Sequence, residues 1–274
     1  MTKTLKFSKM EGAGNDFVVI DNREYRLSMN EIIDLAPCLC NRRFGIGADG
    51  LLVLQENEDP DLDFTMIYRN ADGSDAGMCG NGARCLCMYA HHHGFPSNLT
   101  FNVHDNIYTA EVRKSEVCIR FPVTVKTQEL EINDRPLIKA DAATEHLVCM
   151  VPESDLEKED ELVRTGRSIR NHELVLPEGS NVNFVSVTGR HSLKLQTYER
   201  GVEDLTLACG TGSLAASIAA HHDSQSDETD PVYEVQVKGG KLNAGFHFDA
   251  DTRTYAKLTL TGPAHFVFKG SIQL

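Results

Sequence analysis

Two of the eight cysteines in this 274-residue chain share a setting that the other six lack. From Tyr68 the sequence runs YRNADGSDAGMCGNGARCLCMYAHH, and from Tyr198 it runs YERGVEDLTLACGTGSLAASIAAHH. Both fit Tyr-x10-Cys-Gly-x-Gly-x7-Ala-His-His without a gap, and Cys79 and Cys209 stand 130 positions apart, close to half the chain. Each pattern reads as a strand ending at tyrosine, a polar loop, and a helix that begins just after the cysteine. A helix N-terminus carries partial positive charge and unpaired N–H groups, so a thiol there loses its proton more readily and becomes a candidate base near neutral pH. The glycines of Gly80-Asn81-Gly82 and Gly210-Thr211-Gly212 leave the backbone bare, so its N–H groups can approach an anion such as a carboxylate.

Two thiols on opposite faces of one carbon have a definite use. One, as thiolate, removes a proton; the other, as thiol, delivers a proton to the far face and inverts the centre. The carbon acid beside a carboxylate is weak, so N–H donors that strengthen as enolate character develops, in a site closed to water, must carry the rate. The expected partner is therefore a small molecule with a carboxylate beside the reacting carbon. No cofactor is required, no lysine stands in a context that marks a Schiff base, and no metal is expected at the site.

The elements that must position this chemistry are mostly strands. Short β-patterned runs recur along the chain, among them Phe17–Asp21, Leu51–Gln55, Asp63–Arg69, Asn183–Val187, Leu193–Tyr198 and Tyr255–Thr261. Helices are predicted at Met29–Asn41 after Ser28, at Gly80–His93, at Ser154–Arg170 and at Gly210–His222. The repeat divides the chain into duplicated domains, 1–125 with Cys79 and 126–274 with Cys209, the last strand crossing back to the first domain. Equivalent sites in such domains can face one another across a cleft.

Composition narrows the partners. Hydrophobic residues at 41% and charged residues at 24% are ordinary globular usage. With 27 Lys+Arg against 40 Asp+Glu, the net charge of −13 repels phosphate backbones and anionic lipids, so neither nucleic acid nor a membrane is expected as a partner. The start, MTKTLKFSKMEGAGNDF, has no apolar signal region, which points to the cytoplasm. That reducing compartment argues against a disulfide framework.

These motifs also resemble a known family. Lys9-Met-Glu-Gly-Ala-Gly-Asn-Asp-Phe17, Arg43-Phe-Gly-Ile-Gly-Ala-Asp-Gly50, Asn70-Ala-Asp-Gly-Ser, Met78-Cys-Gly-Asn-Gly-Ala-Arg84, Tyr198-Glu-Arg-Gly201, Ala208-Cys-Gly-Thr-Gly212 and Gly262-Pro-Ala264 are similar, in order and from end to end, to diaminopimelate epimerase. The resemblance implies an α+β fold of two pseudo-symmetric domains, each a curled, mostly antiparallel sheet around a central helix, with the active site in the interdomain cleft. It implies that Cys79 and Cys209 are the acid/base pair and that Gly80, Asn81, Gly210 and Thr211 hold the reacting carboxylate. Asn15, Asn70, Asn181, Glu199 and Arg200 would line the substrate pocket, with His146 beside the thiols and Glu199 also counted with the catalytic groups. The implied reaction interconverts LL- and meso-diaminopimelate for lysine and peptidoglycan synthesis, and the resemblance suggests a homodimer. The substrate's second head group needs both an anion and a cation, which the adjacent Glu199 and Arg200 supply.

Two departures bear on selectivity. Thr144-Glu145-His146 stands where the family has an Asn-Pro-His step, and the loop Glu199–Cys209 is one residue longer and lacks the family's second glycine. A weakened distal contact would admit smaller amino acids. Two other readings compete. A proline-racemase-like enzyme of the same architecture leaves Glu199 and Arg200 without a task. A zinc or thiol-redox module would use Cys38, Cys40, Cys85, Cys87 and His91–His93, although Cys-x-Cys spacing inside helices points the sulfurs apart.

Overall fold

The computed structural model describes residues 4–75 and 77–273. It divides into two compact units, Met1–Ile119 with Gly262–Leu274, and Arg120–Thr261. The division falls at Ile119/Arg120 rather than at 125/126 and lies inside a strand, and the chain returns to the first unit at Gly262.

In the first unit the order is β1 (Thr4–Gly12), β2 (Asn15–Asp21), α1 (Asn22–Tyr25), α2 (Met29–Cys40), β3 (Gly50–Gln55), β4 (Phe64–Asn70), α3 (Gly80–His92), β5 (Asn98–Val103), β6 (Asn106–Arg113) and β7 (Glu116–Phe121). The second unit continues with β8 (Thr127–Ile132), β9 (Arg135–Ala140), β10 (His146–Met150), α4 (Glu159–Arg170), β11 (Asn181–Gly189), β12 (Ser192–Glu199), β13 (Asp204–Thr206), α5 (Gly210–Asp223), β14 (Val232–Val237), β15 (Gly240–Asp249) and β16 (Thr254–Pro263). The last strand, β17 (His265–Gln273), runs antiparallel to β1.

The same connection is made twice in each unit. β2 pairs parallel with β3 through α2, and β4 pairs parallel with β5 through α3. β10 pairs parallel with β11 through α4, and β12 pairs parallel with β14 through α5. The remaining described pairings are antiparallel hairpins and returns. The fold is thus α+β with mostly antiparallel sheet, as the resemblance implies, and each unit inserts two parallel crossovers.

Helices cover both faces of these crossover strands, so their sequences lose alternation: Leu51, Leu52, Val53 and Leu54 are all fully buried. On one face α2 buries Ile32, Ala36 and Leu39 against Val18, Ile20, Leu51 and Val53. In the second unit α4 does likewise, with Leu162 and Ile169 against Leu147, Val182, Phe184 and Tyr198. The other face carries α3 or α5. These central helices are buried almost throughout, from Gly80 to Ala90 and from Gly210 to His221. Their small residues let the surrounding strands approach closely, and the buried serines of α5 are satisfied within the helix, Ser213 Oγ donating to Cys209 O at 2.8 Å and Ser217 Oγ to Ser213 O at 2.9 Å.

Local chemistry explains where elements begin and end. Ser28 and Glu31 form a reciprocal capping box at the start of α2. The expected helix Ser154–Arg170 is instead a 3-10 turn, Glu153–Glu157, followed by α4, because Lys158 between them adopts φ −88° and ψ 62°. The hairpin of β8 and β9 occupies a stretch that carries no strand expectation. Its two-residue Asn133-Asp134 connection has φ of 55° and 58°, the conformation of a type I′ turn that asparagine and aspartate tolerate.

Candidate active site

The repeated cysteines are helix caps of matching geometry. Cys79 has φ −118° and ψ 114°, and Cys209 has φ −117° and ψ 114°, each immediately before the first helical residue. Each sulfur accepts the backbone N–H three residues on, Gly82 at 3.4 Å and Gly212 at 3.3 Å. A sulfur held so by the first turn lies where the helix dipole favours negative charge.

In the first unit the cap is joined by the β1–β2 turn. Asn15 Oδ1 lies 3.8 Å from Cys79 Sγ and accepts from Asn81 Nδ2 at 3.4 Å. Its amide is oriented from behind, since Asn15 Nδ2 donates to Asp49 Oδ2 at 2.6 Å. Asp49 is itself paired with Arg42 at 2.7 Å, and Arg42 also holds Asp16. Arg42 and Lys9 together hold the Asp16 carboxyl down at about 2, overcoming the opposing effect of burial. Asn70 stands at the end of β4, Nδ2 donating to Ser74 Oγ at 3.0 Å, while the neighbouring Ala71 N–H reaches Asp49 O.

A second feature of this unit is not among the expected site residues. Arg84 is fully buried one turn into α3. Its guanidinium donates to Gly80 O at 3.1 Å, Asn81 Oδ1 at 2.9 Å and Pro263 O at 3.3 Å. Burial pushes its pKa down, and the charges of Cys85, Cys79 and Glu11 act in the opposite sense. The interaction is mutual, so the Arg84 cation favours the thiolate form of Cys79. The available signal was a lone arginine inside an otherwise apolar helix.

In the second unit the cap is joined by β10. His146 is fully buried, its Nε2 2.8 Å from Thr144 Oγ1 and 2.9 Å from Thr211 Oγ1; the Thr211 hydroxyl lies 3.6 Å from Cys209 Sγ. Burial, reinforced by the nearby Arg200 charge, lowers the His146 pKa to about 3, so the ring is neutral at ordinary pH. His146 therefore reaches the sulfur through Thr211. The Thr144 hydroxyl is engaged in the same cluster, 3.3 Å from Thr211 Oγ1, instead of standing apart as a distal contact.

Beside this cluster lie the residues expected to meet the substrate's far end. Asn181 Oδ1 accepts the Arg200 backbone N–H at 2.9 Å, and its Nδ2 donates to Glu145 O at 3.1 Å. The Arg200 guanidinium pairs with Glu145 at 2.9 Å and donates to Glu178 O and Gly179 O. Glu199, half-buried at the end of β12, accepts the Glu203 N–H through its carbonyl. The loop that lacks a second glycine carries the left-handed conformation on Glu203, at φ 60°. Hydrogen bonds from Gly201 N–H, Arg170 Nε and Tyr198 Oη to its carboxylate hold that conformation.

Of the other cysteines, Cys40, Cys85, Cys87, Cys118 and Cys149 are buried. Burial pushes the Cys40 thiol up to about 12 and raises those of Cys85, Cys87 and Cys149. The residues of the zinc or redox reading are dispersed: Cys38 is exposed, and His91 and His93 bond through Nδ1 to the carbonyls of Phe95 and Tyr89. Among the described residues no three His, Cys, Asp or Glu side chains gather as a metal centre, and no helix is long and apolar enough to cross a membrane.

Known proteins share this organisation. A hydroxyproline epimerase from Agrobacterium vitis superposes with a TM-score of 0.74 over 99% of this chain and 93% of its own, at 14% identity, a likeness of fold alone. The diaminopimelate epimerase of Flavobacterium psychrophilum is 36% identical over 98% of this chain and 100% of its own length. That of Chlorobaculum tepidum is 37% identical over 97% of this chain and 100% of its own length. The family model for diaminopimelate epimerase matches residues 7–131 and 139–267. With both thiol-capped helices inside those segments, the chain belongs to the diaminopimelate epimerase family of isomerases.

Proposed function

We propose that this protein interconverts LL- and meso-diaminopimelate, with Cys79 and Cys209 as its acid/base pair. The observation that carries the reading is the thiol-capped helix built twice with the same dihedrals and the same sulfur–glycine bond, in a chain that matches the family along its length. One cysteine, as thiolate, takes the α-proton; the other, as thiol, gives a proton to the opposite face, and the roles exchange in the reverse direction. The α-carboxylate is held by backbone N–H groups at Gly80-Asn81 and Gly210-Thr211, which strengthen their hold as negative charge grows on its oxygens. Asn15, Asn70, Asn181, Glu199 and Arg200 receive the distal head group, and His146 acts on Cys209 through Thr211. The chemistry needs no added cofactor. The enzyme works in the cytoplasm, supplying lysine and peptidoglycan precursors. It pairs as a homodimer, as the family resemblance suggests.

Substrate range follows from the pairing of Arg200. Strong rejection of a truncated substrate requires site groups that its absence leaves unpaired. Arg200 already has Glu145 and two carbonyls, so a single-headed amino acid leaves less unsatisfied. Racemisation assays on LL-diaminopimelate and a panel of free amino acids, proline included, test both statements. Expected are efficient turnover of diaminopimelate and slow turnover of some single-headed amino acids, at a penalty below the ~10⁴ of sites built to demand a polar partner. No turnover of diaminopimelate contradicts the main reading; its turnover with none of any single-headed amino acid contradicts the relaxed range.

The two caps differ in what crowds them. A Cβ at Gly212 would lie 2.5 Å from Asn183 Oδ1 and 3.1 Å from Cys209 Sγ, whereas one at Gly82 would meet the flexible ends of Leu52, Met66 and Phe17 at 3.0 to 3.5 Å. Gly212→Ala is therefore expected to lower kcat by about 10²-fold through displacement of the sulfur, and Gly82→Ala to leave kcat within a few-fold of the parent. Equal losses in steady-state kinetics would show that crowding at Cys209 is not the cause.

A further inference from the structure

Behind His146 stands a residue to which the reading above assigns no role. Asn183 lies on β11, two positions beyond Asn181, and is fully buried. Its amide orientation is set from both ends. Thr197 Oγ1 donates to Asn183 Oδ1 at 2.9 Å, and Asn183 Nδ2 donates to Leu147 O at 3.1 Å. A backbone carbonyl can only accept and an amide NH2 can only donate, so the nitrogen must be the end that faces β10. That same Nδ2 lies 3.0 Å from His146 Nδ1.

We propose that Asn183 is a positioning residue that holds neutral His146 as its Nε2–H tautomer and so turns the Thr211 hydroxyl proton toward Cys209. The proposal rests on the acid/base role of Cys209. With an N–H donor against it, His146 Nδ1 carries the lone pair and Nε2 carries the hydrogen. Nε2–H is then shared between Thr211 Oγ1 at 2.9 Å and Thr144 Oγ1 at 2.8 Å. The Thr144 hydroxyl gives its own proton to Thr211 Oγ1, 3.3 Å away. Thr211, accepting from both, has its proton left for Cys209 Sγ at 3.6 Å. Every donor in the chain from Thr197 to the sulfur points one way, and a hydroxyl donating to sulfur favours the thiolate. In the other tautomer Asn183 Nδ2 would face a second N–H, and the bare Nε2 would compete with the sulfur for the Thr211 proton.

The test reads the ring directly. In protein labelled with 15N in the histidine rings, with H146Q to assign the signal, His146 at neutral pH is expected to show a protonated Nε2 and a bare Nδ1. N183D, isosteric but offering only lone pairs to the ring, is expected to place a proton on Nδ1. N183L, which frees the ring, is expected to slow alkylation of Cys209 by iodoacetamide about tenfold relative to Cys79, the scale on which outer partners of oriented histidines act. A parent His146 protonated at Nδ1, or a ring signal unchanged in N183D, overturns the proposal, as does unchanged Cys209 reactivity in folded N183L. If N183L does not fold, the parent and N183D spectra decide. Absence of diaminopimelate turnover by the parent enzyme would overturn the functional reading instead, and none of these three readouts depends on it.

Discussion

Alanine at Cys79 or at Cys209 is expected to abolish epimerisation in both directions, each lowering kcat by about 10³-fold or more. The expectation follows from the roles. Whichever isomer is the substrate, one sulfur must take a proton and the other must give one, so neither direction survives on a single thiol. A positioned acid or base contributes ~10²–10⁴-fold to a rate, and alanine offers nothing in its place. The fold should tolerate both changes. Each side chain serves its helix as an N-cap acceptor for Gly82 or Gly212, and losing such a cap costs about 0.5–2 kcal/mol. Kinetics from each isomer, with thermal unfolding of the same samples, checks this. A variant that retains one direction would show that its cysteine is not the group required there.

The second large effect is expected at Arg84. Replacing a fully buried guanidinium by leucine removes the side-chain donor to Gly80 O, Asn81 Oδ1 and Pro263 O. A buried hydrogen bond broken from one side costs about 1–3 kcal/mol, so Arg84→Leu should destabilise the protein by at least about that much. Asn81 and Gly80 begin the helix that Cys79 caps, so the same change loosens the carboxylate-binding turn and removes the cation that favours the thiolate. Cys79 should then alkylate more slowly at neutral pH while Cys209 is little changed. Arg84→Lys keeps the charge without the fork and should fall between. Equal slowing of both cysteines would assign the effect to general loosening of the fold.

The parts of this enzyme that sequence made legible are those written in local rules. A cysteine followed by Gly-x-Gly and an apolar helix states a cap, a bare first turn and a buried helix within a few residues, and its repetition states a duplication. The capping box at Ser28 and Glu31 is legible for the same reason. The hairpin at Asn133-Asp134 is not, because β8 is largely exposed and its inward face is only Leu130 and Ile132, too short an alternation to read. The break at Lys158 was missed since the segment's charges suit an exposed helix throughout. At the candidate site, the repeated cysteines and the residues around them are legible in the motifs, and those packed behind them are not. Asp49 reaches Asn15 across 34 positions, and Asn183 reaches His146 across 37. Such contacts are made by strand register, and no short window contains both partners. Thr144 is the converse, a departure visible in sequence that points to the distal pocket, whereas in the fold its hydroxyl lies 3.3 Å from Thr211 Oγ1.

Two separate groups moving one proton each is the centre of the account, and solvent isotope incorporation tests it most directly. With LL-diaminopimelate in deuterated water, sampled at low conversion, the first-formed meso product is predicted to carry deuterium at the inverted carbon while the remaining LL substrate stays protiated. Early deuterium in the recovered LL substrate would show one shared base and contradict the assignment of Cys79 and Cys209 to opposite faces.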